Sequence, residues 1–298
     1  MKNPPRNLLV MCRTWGKLRR HRGLFSLADA TLQWRRVLLL DRWHFRAAGE
    51  ALRRQAQIEP AGNDVFRIEL KGRGLCFFWP CQPTAHLWYV IEPEFEPRNA
   101  HCYTTPPVAL APESLVLDVG ACEGLFAFRV AKAGLARRVI CFEPDPQLAA
   151  LIRRGADENG VGAKITVEAM AVCDRSGRVG FQAGADPLGG SVQWSGPAQT
   201  TVAAVSLDDY CRAHGLSLTP RDLIKVDAEG MDAEVLRGAE GQIRAGCPQL
   251  AVTTYHREEH CLEIPAWLKQ VQPKYRLRLK GFAYWTPRPR PILLQAAV

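Results

Sequence analysis

From Ser114 onward, short apolar runs alternate with stretches whose apolar residues recur at helical spacing. This alternation predicts a mostly parallel sheet with helices on both faces. Ser206 is the expected N-cap of one helix, with Asp208 and Asp209 in its first turn complementing the helix dipole. The predicted strands are 115–120, 138–143, 165–172, 222–228 and 248–255, and the predicted helices are 124–134, 146–159, 206–215 and 231–243.

The end of the chain follows a different pattern. Two further strand-like runs, at 275–279 and 291–295, are separated by a proline-rich loop and no helical stretch. Two consecutive strands of this kind predict an antiparallel hairpin at the edge of the sheet. The predicted fold class is therefore α/β, with a Rossmann-like seven-stranded sheet that is parallel except for its C-terminal hairpin.

The first 112 residues are predicted to form a separate basic α+β accessory region, followed by the main domain at 113–298. Residues 1–57 hold 13 Lys+Arg against 3 Asp+Glu, a net of +10, so the rest of the chain carries a net of −1. Mixed apolar and arginine residues over 27–57 predict one or two helices. The runs 65–70 and 75–79 predict a hairpin across a glycine turn, and 92–112 is expected to be an ordered linker.

A glycine loop and an acidic residue follow two neighbouring predicted strands. Asp118 precedes Gly120 and Gly124, and Glu143 ends the next strand. At the carboxyl ends of such strands, glycine lets the backbone approach a ligand and a carboxylate can accept both hydroxyls of a ribose. A carboxylate at Asp118 repels phosphate but suits an ammonium group, so the expected ligand is S-adenosylmethionine. The alternative is a tight strand-to-helix connection with no ligand.

A second group of polar residues follows the fourth and fifth predicted strands. Asp227 and Glu229 are expected to act as general base, as acceptor ligands or as ligands of a hard cation, whereas Glu234 is interpreted as a helix N-terminal charge. His256 ends the fifth strand and could take a proton near neutral pH, although a structural role is equally expected. Mg²⁺ at Asp227 and Glu229 is ranked below a side-chain base, because the sequence shows no third ligand.

The chain from about Ser114 to Gln295 resembles the FkbM family of S-adenosylmethionine-dependent methyltransferases. The matching segments are Leu117–Ala121 with Gly124, Phe142–Pro144, Asn159, Ser206–Asp209, Ile224–Gly230 with Leu236–Ala239, and Tyr255-His256 followed by Ile264-Pro265 and Tyr275. The resemblance implies a class I methyltransferase fold and methyl transfer, most often to a hydroxyl of a sugar, polyketide or other secondary metabolite.

The resemblance also implies roles by position. Asp118, Gly120, Ala121 and Gly124 would form the methionine-side loop, and Glu143 would bind the ribose. Glu168, Ala169 and Met170 would flank the adenine. The catalytic candidates are Asp227, His256 and Glu229. This chain departs from the family at Cys122-Glu123, at Tyr255-His256 and at Lys280-Gly281, which leaves the acceptor and the identity of the base open.

Two other functions remain as alternatives. One is a nucleic-acid methyltransferase or binder that uses the basic segment 1–57 as an arm, with Trp15, Trp34 and Trp43 as stacking candidates. We do not expect it, because no base-flipping signature follows the fourth strand. The other is a non-catalytic interaction module with the same fold.

The expected partner is a small-molecule or glycan acceptor, and a homodimer is a further possibility. Ten scattered cysteines and the absence of an apolar run long enough to span a membrane predict a cytoplasmic protein without a transmembrane segment. A membrane-surface or mitochondrial-targeting role of the basic segment is a minor alternative.

Overall fold

A computed structural model describes most of the chain. The described residues are 16, 19–21, 23–26, 28, 29, 42–184, 189–194, 198–283 and 289–298, with the backbone alone for 42–48. Trp15, Trp34 and most of the first part (27–41) of the predicted helical segment 27–57 lie outside them. No helix among the described residues is long and apolar enough to cross a membrane.

From Arg42 to the predicted boundary at 112, the N-terminal part contains a helix, a three-stranded antiparallel sheet and a further helix. These elements are α1 (Arg42–Gln55), β1 (Ala56–Gly62), β2 (Val65–Leu70), β3 (Leu75–Trp79) and α2 (Leu87–Phe95). The predicted hairpin is confirmed, with Leu70 opposite Leu75 and Phe66 opposite Trp79. Strand β1 was not predicted, and α2 occupies the first residues of the predicted linker.

The main sheet confirms the predicted α/β fold. Its elements, with their helices, are β4 (Leu115–Val119), α3 (Leu125–Lys132), β5 (Arg138–Phe142), α4 (Pro146–Glu158), β6 (Ile165–Glu168), and, after a second sheet, α5 (Leu207–Ala213), β11 (Leu223–Val226), α6 (Asp232–Arg237), α7 (Glu240–Gly246), β12 (Gln249–Thr253), α8 (His260–Val271), β13 (Arg276–Ala283) and β14 (Arg290–Ala297). The strand order is β13-β14-β12-β11-β4-β5-β6. Only β14 runs antiparallel to its neighbours, β12 and β13.

The second sheet is absent from the prediction. It consists of β7 (Ala171–Val172), β8 (Gly177–Gln182), β9 (Ser191–Gln193) and β10 (Thr200–Val205), in the order β7-β10-β8-β9. The predicted strand 165–172 was therefore wrong in its second half. The chain turns out of the main sheet after β6, where the Met170 N–H donates to the Glu168 carbonyl at 2.9 Å, and β7 pairs with β10 instead.

Two predictions about helices also need correction. The single helix predicted at 231–243 is divided into α6 and α7. Gly238 lies at the break, where a Cβ would stand 2.0 Å from the Cys173 carbonyl oxygen, so the backbone must pack too closely there for a larger residue. Helix α8 was not predicted at all. The Ser206 N-cap is confirmed, since its hydroxyl accepts the Asp209 N–H at 3.1 Å.

The N-terminal sheet and the main sheet share one hydrophobic core. Ile68, Phe77 and Trp79 from the former cluster with Val116 of the main sheet and with Phe128 of helix α3, which packs on that sheet. Residues on the N-terminal side of the predicted boundary at 112 are thereby held close to the carboxyl ends of the main strands.

Candidate active site

The glycine loop follows β4 and closes tightly over the neighbouring strand ends. Gly120 has a φ of +73°, and a Cβ there would lie 1.9 Å from the Asp227 carbonyl oxygen. The N–H groups of Gly120 and Ala121 both donate to the Phe142 carbonyl, at 3.0 and 3.2 Å. Gly124, with a φ of +80°, is the N-cap of α3. Only glycine fits at position 120 without displacing the backbone of Asp227.

Glu143 lies at the carboxyl end of β5, beside this loop. Its Oε2 accepts the Cys122 N–H and its Oε1 accepts the Asp145 N–H, both at 2.9 Å. Burial raises the pKa of Glu143 to about 7, against the opposing effect of these two N–H donors. Each carboxylate oxygen can accept a further hydrogen bond, so the ionised form is suited to bind a pair of ligand hydroxyls. Burial also raises the pKa of Glu123 to about 7.

The adenine candidates lie at the end of β6, next to Glu143. The Glu143 N–H donates to the Glu168 carbonyl at 3.1 Å, and Tyr210 donates its hydroxyl to the Glu168 carboxylate at 2.8 Å. Ala169 is exposed, and Glu168 and Met170 are half-buried. The structure therefore brings the three residues to the same sheet edge as the glycine loop.

Asp118 lies beneath the loop and not on its surface. Its carboxylate has no exposed surface, and its Oδ1 is 2.8 Å from Lys225 Nζ. Lys225 also donates to the Gly120 carbonyl at 2.7 Å. Burial lowers the pKa of Lys225, but the charges of Asp118 and Asp227 outweigh it and raise that pKa above its ordinary value. The ammonium group that Asp118 contacts is thus that of Lys225, and a contact with a ligand ammonium stays a prediction.

Asp227, Glu229 and His256 converge at the ends of β11 and β12. His256 Nε2 is 3.4 Å from Asp227 Oδ1 and 3.5 Å from Glu229 Oε1. Asp227 also accepts a hydrogen bond from the Tyr103 hydroxyl at 2.7 Å, and its Oδ1 lies 3.2 Å from the Thr253 hydroxyl oxygen. One ligand atom from each of the three residues lies within 4.8 Å of the others. The cluster can therefore accept a proton or hold a metal ion.

Asp232 orients His256 from behind. The fully buried Asp232 places Oδ2 2.9 Å from His256 Nδ1. Its Oδ1 accepts the Ala228 N–H at 3.0 Å and the Thr253 hydroxyl at 2.9 Å. Burial raises the pKa of Asp232, but His256 opposes this and holds the pKa below its usual range. A carboxylate so placed fixes the position and tautomer of the imidazole.

Three contacts of this site were missed by the sequence reasoning: Tyr103, Thr253 and Asp232. Tyr103 comes from the segment interpreted as a linker, 124 positions before Asp227, and nothing local marks it. Asp232 could have been noticed, because it lies in the same acidic segment as Asp227 and Glu229. Glu234, interpreted as a helix charge, lies on α6 with its Oε1 3.8 Å from Arg237.

Comparison with known proteins identifies a family. Residues 118–277, just over half of the chain, match the model of the methyltransferase FkbM domain. The chain is also similar to the 2-O-methyltransferase NoeI of Sinorhizobium fredii, with 30% identity over 149 residues. That alignment covers 43% of this chain and 58% of the relative, so the chain spans less than two thirds of that protein's length.

Solved structures with a similar arrangement include two methyltransferases. Methyltransferase FkbM of Methylobacillus flagellatus has a TM-score of 0.48 at 18% identity, with 86% of this chain and 60% of that chain covered. An O-methyltransferase of Bacillus cereus in complex with SAH has a TM-score of 0.39 at 12% identity, with 63% and 75% covered. Both TM-scores are below 0.5, so the family assignment rests on the sequence match.

Proposed function

Because the chain belongs to the FkbM methyltransferase family, we propose that it transfers the methyl group of S-adenosylmethionine to a hydroxyl of a sugar or of another small-molecule or glycan acceptor. The observation that carries this proposal is the proximity of two groups at one sheet edge. The glycine loop with Glu143 forms a place for the nucleoside, and Asp227 with His256 forms a proton-accepting cluster beside it. Asp227 connects the two, since its carbonyl oxygen faces Gly120 and its carboxylate faces His256.

The described residues fit this cofactor. Glu143 is held by two backbone N–H donors and can accept the two ribose hydroxyls. Gly120 and Ala121 would carry the methionine side of the ligand, and Glu168, Ala169 and Met170 would lie along the adenine. Asp118 would act through Lys225, which fixes the Gly120 carbonyl and with it the shape of the loop. When bound, S-adenosylmethionine supplies an activated methyl group on its sulfonium sulfur.

The chain's own contribution to the reaction is to align the acceptor and to receive its proton. Asp227 and His256 would hold the acceptor hydroxyl toward the methyl group that the cofactor supplies. The hydroxyl proton would pass to Asp227 Oδ1 or, when its ring is neutral, to His256 Nε2, and these two atoms lie 3.4 Å apart. Burial opposes the charged ring, but the Asp232 carboxylate beside it raises the pKa of His256. Tyr103, bound to Oδ2 of Asp227, leaves Oδ1 as the oxygen that faces His256. Glu229, 41% exposed, stands at the outer side of the cluster and is suited to hydrogen-bond a second acceptor hydroxyl.

The class of acceptor follows from chemistry and from the relative. A hydroxyl needs a proton acceptor during transfer, and the cluster offers one. NoeI is named a 2-O-methyltransferase, which supports an oxygen acceptor in this chain as well. The division at 112/113, a homodimer and a cytoplasmic location, all predicted from the sequence, are part of the same proposal.

The experiment is a methyl-transfer assay with S-adenosylmethionine labelled in its methyl group. Free sugars, oligosaccharides and RNA are offered to the wild type and to Asp227→Asn. We expect label in a saccharide, bound as an alkali-stable ether, and at least a tenfold lower rate in Asp227→Asn, because general acid–base catalysis typically contributes about 10²–10⁴-fold. Label in RNA alone would replace this proposal with the nucleic-acid alternative. Failure of the folded protein to bind S-adenosylmethionine would reject it.

A further inference from the structure

Nε2 of His256 is a buried nitrogen without a hydrogen bond. The His256 side chain is only 7% exposed, and Nε2 has no hydrogen-bond partner within the described part of the chain. The other ring nitrogen, Nδ1, lies 2.9 Å from Asp232 Oδ2. Because the ionised Asp232 carboxylate can only accept a hydrogen bond, Nδ1 carries a hydrogen, and Nε2 is the ring atom that is left to bind an ion once it is deprotonated. Nε2 faces Asp227 and Glu229.

The charges around this nitrogen are unbalanced. Asp227, Glu229 and Asp232 surround the His256 imidazole, and His260 Nδ1 lies 3.4 Å from Asp232 Oδ2. Among the described residues, no lysine or arginine nitrogen lies within 4.0 Å of these three carboxylates, although the ion pairs found elsewhere include eleven with arginine and one with lysine. Grouped carboxylates with so little compensation are expected to attract a cation.

The distances match those between ligands that share one metal ion. Two donor atoms each about 2.1 Å from an ion lie about 3.0 Å apart at an octahedral angle and about 3.4 Å apart at a tetrahedral one. Nε2 is 3.4 Å from Asp227 Oδ1 and 3.5 Å from Glu229 Oε1. The exposed position of Glu229 allows its carboxylate to rotate toward a shared ion.

We propose that Asp227, Glu229 and His256 hold a divalent transition-metal ion such as Mn²⁺. One imidazole with two carboxylates is a donor set suited to such ions, whereas Mg²⁺ prefers oxygen ligands alone. Asp232 completes the arrangement, since a carboxylate bonded to the far nitrogen of a metal-binding histidine is the usual outer partner. The sequence analysis considered only Asp227 and Glu229 as metal ligands. The structure places His256 beside them as a third.

The consequence for catalysis rests on the proposed function. Three protein ligands leave positions on the ion for the oxygen of an acceptor. The ion would lower the pKa of a hydroxyl bound to it, and the proton would pass to solvent instead of to a side-chain base. The ion would also orient an acceptor that offers two neighbouring hydroxyls.

The test measures Mn²⁺ binding to the full chain in the absence of any cofactor or acceptor, by calorimetry and by the loss of the free-ion electron paramagnetic resonance signal. Glu229→Gln removes a ligand at a partly exposed position. Glu259→Gln is the matched control, since its exposed side chain lies three residues after His256 and makes no capping hydrogen bond. His256→Gln is the second variant, with circular dichroism to verify folding.

We expect one Mn²⁺ per chain in the wild type and in Glu259→Gln. Glu229→Gln and His256→Gln should bind at least tenfold more weakly, and Asp232→Asn, if folded, about 10–100-fold more weakly. Absence of saturable binding at millimolar Mn²⁺, or equal affinity in Glu229→Gln and Glu259→Gln, would overturn the metal site. Because the readout needs no methyl transfer, the site can stand if the proposed reaction fails, and the reaction can stand if the site fails.

Discussion

Replacing Lys225 with methionine is expected to destabilise the protein by about 3–5 kcal/mol, because it leaves the Asp118 carboxylate buried without its cation. The two side chains are 5% and 0% exposed, and Nζ lies 2.8 Å from Oδ1. Solvent does not screen the attraction within a pair so completely buried. The Gly120 carbonyl also loses the hydrogen bond that Lys225 donates, which adds about 1 kcal/mol to the loss of stability.

Substitution of the partner, Asp118→Asn, should lower the free energy of unfolding by a similar amount, since it leaves the Lys225 ammonium group buried without its carboxylate. The double variant is the informative case. Replacing both members of a buried ion pair removes both desolvation costs, so the pair of changes should destabilise by less than the sum of the single ones, with a coupling energy of about 2–3 kcal/mol.

The assay is urea denaturation followed by circular dichroism and tryptophan fluorescence for the wild type, the two single variants and the double variant. Single variants that cost less than about 1 kcal/mol, or strictly additive changes, would refute the reasoning. The result also decides how binding data on Asp118 are interpreted. A loss of cofactor binding in Asp118→Ala would reflect a collapsed loop as readily as a lost ligand contact.

Three further predictions follow from local geometry. Gly120→Ala should lose cofactor binding and about 2–4 kcal/mol of stability, because its Cβ would meet the Asp227 carbonyl. The control Gly134→Ala, with a φ of +67° and open space around it, should lose only about 1 kcal/mol. Thermal unfolding of both variants measures the two losses. Affinity for S-adenosylmethionine should fall about tenfold from pH 8 to pH 6, because Glu143, with a pKa of about 7, accepts the ribose hydroxyls only when ionised above that pH; calorimetry showing equal affinity at both would contradict this. Ser206→Ala should lower the free energy of unfolding by about 0.5–2 kcal/mol through loss of the N-cap, and an unchanged urea midpoint would show that the cap contributes nothing.

The parts of the fold that the sequence predicted are those with strong local patterns. Strands β4, β5, β11 and β12 are predominantly apolar, which is typical of parallel strands covered on both faces. The C-terminal hairpin was recognisable because no helical stretch separates its strands. The second sheet was not, because its strands are short and half-exposed, with burial patterns such as that of β8, where only two of six residues are buried.

The candidate site divides in the same way. Glu143 and Asp227 could be located from the sequence because each lies at the carboxyl end of a predicted strand. The partners that give them their properties could not. Lys225 reaches Asp118 across 107 positions and Tyr103 reaches Asp227 across 124, and such pairings depend on the order of strands and on the packing of the N-terminal segment, which no local pattern encodes.

The most direct test of the account is a calorimetric titration of the full chain with S-adenosylmethionine at pH 8, on the wild type, Glu143→Gln and the exposed control Glu113→Gln. The account predicts saturable one-to-one binding by the wild type and Glu113→Gln. Glu143→Gln should bind about 10–100-fold more weakly, since hydrogen bonds to a charged group contribute about 1.5–3 kcal/mol. Equal affinity in all three proteins, or no binding by the folded wild type, would contradict the claim that this sheet edge binds the methyl donor.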